Sequence, residues 1–191
     1  ISGNTRTQDD VIRREIGISE GGLYSRSVLR NSILKLRRLG YFSDVQMSAS
    51  EVEDMPDKID LSFVVEETKT GTLSFSVSHS NSYGISVGSG IQEKNIFGSG
   101  NTLNAELKLS ESFNKLSFYF ENPYLNNKNH SMSYGAFISE IDDDDVMDDS
   151  YEISSKGISL GYGVPLTVNT RLNSIIEYVD NDITCGSGFS A

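Results

Sequence analysis

Two histidines, one cysteine and a run of acids are the side chains best suited to metal, nucleophilic or acid–base chemistry in this sequence. His79 and His130 stand far apart without ligand spacing, so each reads as a strand-end or turn residue. Cys185 has no companion His or Asp signature and reads as a free thiol in a loop. A single cysteine also excludes an internal disulfide framework and a thiolate zinc site. Glu140, Asp142, Asp143, Asp144, Asp145, Asp148 and Asp149 crowd one short window. They lack the spaced ligands and central Gly of an EF-hand calcium loop, and a block of like charges is normally a solvated loop. Gly88-Ser89-Gly90 and Gly98-Ser99-Gly100 are not phosphate loops, because no helix follows either. No acid–base pair or nucleophile arrangement supports an enzyme, and neither a cofactor nor a metal is expected.

Charge narrows the partners. The 191 residues carry 16 Lys and Arg against 27 Asp and Glu, a net of −11. That argues against nucleic acid, which needs a basic face to displace counterions from phosphate. The imbalance is local: residues 1–68 hold 9 basic and 12 acidic side chains, net −3, and residues 69–191 hold 7 and 15, net −8. Apolar runs are only a few residues long, whereas a transmembrane helix needs about 20. Hydropathy does not exclude a transmembrane β-barrel, whose strands alternate and average out. With no starting Met and no signal peptide, the chain reads as an excised or mature segment.

The elements change character near residue 69. Thr7-Gln8-Asp9-Asp10 fits a capping box, with Thr7 as N-cap, ahead of a helix through Val11, Ile12 and Ile16 that stops at Gly17. Ser25 or Ser27 caps a second helix, on which Leu29, Ile33 and Leu36 share one face and which Gly40 ends. Phe42–Val52 and Lys58–Glu66 read as strands around an Asp54-Met55-Pro56-Asp57 turn. The order is helix, helix, strand, strand, with Ile1 as the stub of a missing first strand.

Beyond residue 69 the period is two. Leu73, Phe75 and Val77 alternate with Ser74, Ser76 and Ser78; Leu116, Phe118 and Phe120 with Ser117, Tyr119 and Glu121; Ile158, Leu160 and Tyr162 with Ser159, Gly161 and Gly163. Similar runs begin near Ile85, Leu103, Tyr134 and Leu172, making about seven strands. A soluble sandwich and a membrane barrel both produce this alternation. Small and polar residues on the second face suit a barrel lumen, and Tyr83, Phe97, Tyr119, Tyr124 and Tyr151 near strand ends suit interfacial girdles. The pattern alone leaves both architectures open.

A resemblance goes further. Gly3-Asn4-Thr5-Arg6-Thr7, Val11-Ile12-Arg13-Arg14-Glu15, Glu20-Gly21 and Leu39-Gly40-Tyr41-Phe42 resemble a POTRA domain, specifically the last one of the BamA family of bacterial outer-membrane β-barrel assembly factors. Glu66-Glu67-Thr68-Lys69-Thr70-Gly71 resembles that family's POTRA-to-barrel junction. Gln92-Glu93-Lys94-Asn95-Ile96-Phe97-Gly98-Ser99-Gly100 resembles its first periplasmic turn, and Asn122-Pro123-Tyr124 the next.

The resemblance implies an α+β POTRA domain over residues 1–68, lacking its first strand, then antiparallel transmembrane β-barrel strands over 69–191, a partial barrel and therefore a fragment. Turns at Asn95–Gly100, Pro123–His130 and Pro165–Arg171 would be periplasmic. Segments Ser80–Tyr83, Glu111–Asn114, Ile141–Tyr151 and Asp180–Gly186 would face outward. The implied function is a core subunit of the assembly machinery in the outer membrane of Gram-negative bacteria, with the POTRA part in the periplasm. Its implied partners are nascent outer-membrane β-barrel proteins, accessory assembly lipoproteins and the lipid bilayer. The family's lateral-gate strand maps to Gly71, Thr72, Leu73, Ser74, Phe75, Ser76, Val77 and Ser78, and its lipoprotein contact to Arg13 and Glu20. Two alternatives remain: a related POTRA-barrel transporter, of the two-partner secretion or TamA type, and a soluble all-β ligand-binding module, which requires a dry two-sheet core.

Overall fold

Apolar residues at helical spacing fold with one hairpin in the first part of this chain, and the later part is built from strands alone. The computed structural model describes residues 1–53, 55–81, 84–126, 129–143, 151–167 and 170–185. Its elements are α1 (Asp9–Arg13), α2 (Arg26–Leu39), β1 (Phe42–Val52), β2 (Met55–Glu67), β3 (Gly71–Ser80), β4 (Gly84–Ile96), β5 (Asn101–Ser110), β6 (Phe113–Asn122), β7 (Ser131–Asp143), β8 (Tyr151–Pro165) and β9 (Arg171–Cys185). Two compact units result: Ile1–Thr70 with Lys94–Gly100, and Gly71–Glu93 with Asn101–Ala191. No helix among the described residues is long and apolar enough to cross a membrane.

The first unit packs α1 and α2 on one face of the β1–β2 hairpin. Leu29 and Leu36 are fully buried and Ile33 packs beside them, so the predicted stripe of α2 is the face that meets the core. Val11, Ile12, Val45, Phe63 and Val65 complete that core. Truncating a leucine so enclosed costs ~2–5 kcal/mol. Gly40 ends α2 at φ +72°, a left-handed conformation that Gly adopts without a Cβ clash. β1 and β2 pair antiparallel from Phe42↔Glu67 to Val52↔Met55. The expected strand stub is a single parallel bridge: Ser2 N–H donates to the Phe63 carbonyl and Val65 N–H to the Ser2 carbonyl, both at 2.9 Å.

Three local expectations change. Thr7 does not cap α1; Gln8 holds that position without a side-chain bond, because the Thr7 hydroxyl is taken by Asn95. α1 stops at Arg13 rather than running to Gly17, since the amides of Glu15 and Ile16 bond back only three residues, to Ile12 and Arg13. β2 begins at Met55, so the hairpin turn is shorter than Asp54–Asp57. Asp54 itself, Tyr83 and the acids Asp144, Asp145, Asp148 and Asp149 lie outside the described residues.

The second unit is one seven-stranded sheet, with strands in chain order from β3 to β9. Its register builds continuous rows. Ala105, Phe118, Ala136, Ile158 and Tyr178 are mutual partners across β5 to β9, as are Leu103, Phe120, Tyr134, Leu160 and Ile176. The opposite face carries Asn104, Tyr119, Gly135, Ser159 and Glu177 in the same way. Strands run further into the expected outward segments than the period suggested: β9 continues to Cys185, which pairs with Tyr151, so this thiol ends a strand rather than sitting in a loop.

Candidate functional site

The apolar face of the sheet is the first functional feature, because nothing among the described residues covers it. Phe75 is 76% exposed and Ile176 74%, and Leu73, Val77, Ile85, Leu116, Ile158 and Tyr178 are exposed as well. A sandwich would bury this face beneath a second sheet; a membrane barrel turns it to lipid. The dry two-sheet core that the soluble reading requires is not formed among the described residues.

The β3 edge is the second. β3 pairs with β4 on one side and has no strand on the other among the described residues. Ser74, Ser76 and Ser78 stand opposite Gly90, Gly88 and Ser86. The Ser74 hydroxyl donates to the Gly90 carbonyl at 3.3 Å, and Ser78 and Ser86 hydroxyls meet at 2.6 Å. A side chain at Gly88 or Gly90 would press on Ser76 or Ser74, so the glycines let the serines lie flat. All ten β3 residues are exposed. An edge with small side chains and free backbone groups is a template for another strand.

The Arg13–Glu20 pair is the third. Arg13 closes α1, and its Nη1 donates to Glu20 Oε1 at 2.8 Å, with both side chains exposed. The loop around them is held by α2 and by its own turn: Gly17 N–H donates to the Ser32 hydroxyl of α2, Gly22 N–H to the Ser19 carbonyl, and Gly21 turns at φ +75°. Sequence reasoning named both residues but not their mutual bond. An exposed pair of this kind contributes about 0–1 kcal/mol to folding.

A fourth feature, centred on Glu67, was not anticipated. Its carboxylate accepts hydrogen bonds from the Thr5 amide (3.0 Å) and hydroxyl (2.8 Å), the Arg6 amide (3.0 Å) and the Thr7 amide (2.6 Å). Partial burial pushes its pKa up, but these donors, led by Thr7, outweigh burial and hold it down at about 2. Beside it, Asn95 Nδ2 donates to the Thr7 hydroxyl at 2.9 Å and its Oδ1 accepts from Gly100 N–H at 2.7 Å. Gln8 N–H donates to the Gly98 carbonyl at 2.9 Å. Gly98, at φ +70°, approaches so closely that a Cβ would collide with the Arg6 carbonyl. The usable signal was Glu67 in the junction motif and Asn95 in the turn motif, two polar residues that need partners when enclosed.

The remaining chemistry-bearing residues stay apart. His130 Nδ1 bonds the Tyr162 hydroxyl, while His79 lies in β3. No group of three or more His, Cys, Asp or Glu suited to a metal ion occurs among the described residues.

Comparison with known proteins agrees with this geometry. Residues 1–68 match the POTRA family, described as surface antigen variable number repeat, and residues 95–188 match the Omp85 superfamily domain. The chain is 32% identical over 177 residues to outer membrane protein assembly factor BamA of Neisseria meningitidis serogroup B, which covers 91% of this chain and 22% of that relative. It shares the fold of the crystal structure of BamA from Haemophilus ducreyi lacking POTRA domains 1-3, with TM-score 0.83 at 24% identity over 96% of this chain and 35% of the other. CdiB from Acinetobacter baumannii gives TM-score 0.65 at 13% identity over 98% of this chain and 38% of that one. The chain thus spans about a fifth of the length of the BamA relative it matches.

A POTRA unit joined to antiparallel strands with an uncovered apolar face defines an Omp85-type outer-membrane protein, its POTRA part in the periplasm. Within that class, the chain belongs to the BamA family of outer-membrane protein assembly factors.

Proposed function

We propose that this chain forms the POTRA-to-barrel part of a core subunit that inserts and folds outer-membrane β-barrel proteins. The division at residues 68/69 separates a periplasmic docking domain from the membrane strands. The observation that carries the reading is the make-up of β3, Gly71–Ser80, the first strand after the POTRA unit: small polar side chains on one face and apolar ones on the other. An incoming client strand adds to this edge through backbone N–H and C=O groups, and its own alternation matches lipid on one side and lumen on the other. The work is strand pairing and membrane placement, so it needs neither covalent chemistry nor nucleotide. Arg13 and Glu20 present one charge of each sign to an accessory lipoprotein, a contact whose on-rate depends on salt.

A cysteine at Ser76 in the full-length protein tests the edge. Crosslinking should trap nascent barrel proteins at this position, and a cysteine at the lumen-facing Ser159 of β8 should trap far fewer. No client adduct at Ser76, or equal capture at both positions, would remove the gate role from β3.

A further inference from the structure

α2 holds five of the nine cations of residues 1–68 and none of their twelve acids. Lys35, Arg37 and Arg38 lie toward its C-terminal end, where the helix dipole favours positive charge. Arg26 and Arg30 do not. Arg26 opens a first turn that has no acidic residue, so it meets the positive end of the dipole. Arg30 follows one turn later on the same side, and like charges at i, i+4 repel. Arg37 is paired, its Nη2 lying 3.2 Å from Asp44 Oδ1. Arg26, Arg30, Lys35 and Arg38 are exposed and form no ion pair among the described residues. The charges of Arg26 and Arg30 therefore work against the helix that carries them.

The same outer face has an apolar centre. Leu29, Ser32 and Leu36 turn inward and are buried, which puts Arg30, Leu34 and Arg38, spaced by four, in one row on the outer side. Leu34 is 43% exposed between the two arginines. An exposed leucine flanked by arginines has the make-up of a protein interface, apolar at its centre and charged at its rim. It does not have the make-up of a membrane-surface helix, which needs a whole apolar face for acyl chains. The apolar stripe of α2, with Leu29 and Leu36, is already buried in the core.

We propose that the outer face of α2 docks an acidic protein surface, with carboxylates of the partner pairing to Arg26, Arg30 and Arg38 around Leu34. Arginine suits this task, because its planar fork grips a carboxylate at two points. Without α2, residues 1–68 keep 4 basic and 12 acidic side chains, net −8. The rest of the domain therefore repels an acidic partner, and α2 is the face that attracts it. This docking goes beyond strand addition at β3 and the Arg13–Glu20 contact, neither of which uses a residue of α2.

Benzoylphenylalanine at position 34 of the full-length protein, irradiated in cells, tests the face, with adducts mapped by mass spectrometry. One protein should be captured, through a segment rich in Asp and Glu. Arg26→Glu with Arg30→Glu should lower that adduct by about tenfold or more, because attraction becomes repulsion. Glu suits a first turn better than Arg, so this variant should resist thermal unfolding as well as the parent does, and lost capture then reports docking rather than damage. Should it not fold, Arg38→Gln alone should lower capture severalfold. Capture of lipid, capture through a neutral or basic segment, scattered capture of many proteins, no capture, or a yield unchanged by these substitutions would each overturn the proposal. Client crosslinking at Ser76 is read separately, so failure there leaves this result unaffected.

Discussion

Glu67 shows how one carboxylate organises a loop. Backbone amides of Thr5, Arg6 and Thr7 converge on it, and its pKa falls from 4.5 to about 2. A depressed folded-state value means the clip stabilises fully above the unfolded value and weakens as pH falls from about 4.5 toward about 2. Solvent screening makes the energy smaller than the shift implies. Glu67→Gln keeps the shape and removes the charge, and should cost about 1–2 kcal/mol locally. Amide exchange at Thr5–Thr7 near neutral pH should then quicken by about 5–30-fold; unchanged exchange would show that the charge is incidental. Arg13 and Glu20 call for a different test. Reversing both charges, Arg13→Glu with Glu20→Arg, restores their mutual bond and should alter stability by less than about 1 kcal/mol. If the pair faces a partner, lipoprotein binding measured by pull-down is lost in the double variant; if it only orders its loop, binding survives.

At the scale of elements, the sheet is distinguished by the apolar face it leaves exposed among the described residues. Phe118 stands in the row from Ala105 to Tyr178. Phe118→Asp puts a carboxylate on that face at a cost of up to a few kcal/mol. In the full-length protein, heat-modifiable mobility in detergent should disappear with this substitution, and a normal gel shift would contradict lipid exposure of the row. The helical unit follows the opposite logic. Its β1–β2 hairpin buries one face under α1 and α2, so Leu29, Leu36 and Val45 are inside while Ile176 and Phe75 of the sheet are outside. The same apolar residue types are buried in one unit and exposed in the other.

For the whole molecule, an unclosed seven-stranded sheet leaves β3 and β9 as edges and a broad apolar face uncovered. Both are aggregation hazards in water. The 191-residue chain alone should sediment as large assemblies without detergent and shift to small species when a mild detergent is added. A monomer in plain buffer would mean that the apolar face finds cover within the chain.

Period and punctuation were enough to place most elements: Leu29, Ile33 and Leu36 marked the buried face of α2, Gly40 its end, and the alternating runs all seven barrel strands. Such features depend on neighbours a few residues away, and local sequence carries them. Which way the alternation faced was not local, since sandwich and barrel share one pattern; the apolar face left exposed among the described residues, together with the POTRA and Omp85 matches, decided it. The misread Thr7 has the same cause. By spacing it is an N-cap, but its hydroxyl is claimed by Asn95, 88 residues on, and its amide by Glu67, 60 residues on. A hydrogen-bonding group is free to serve its own helix only if nothing brought near by the fold binds it better, and that competition exists only once the chain has folded.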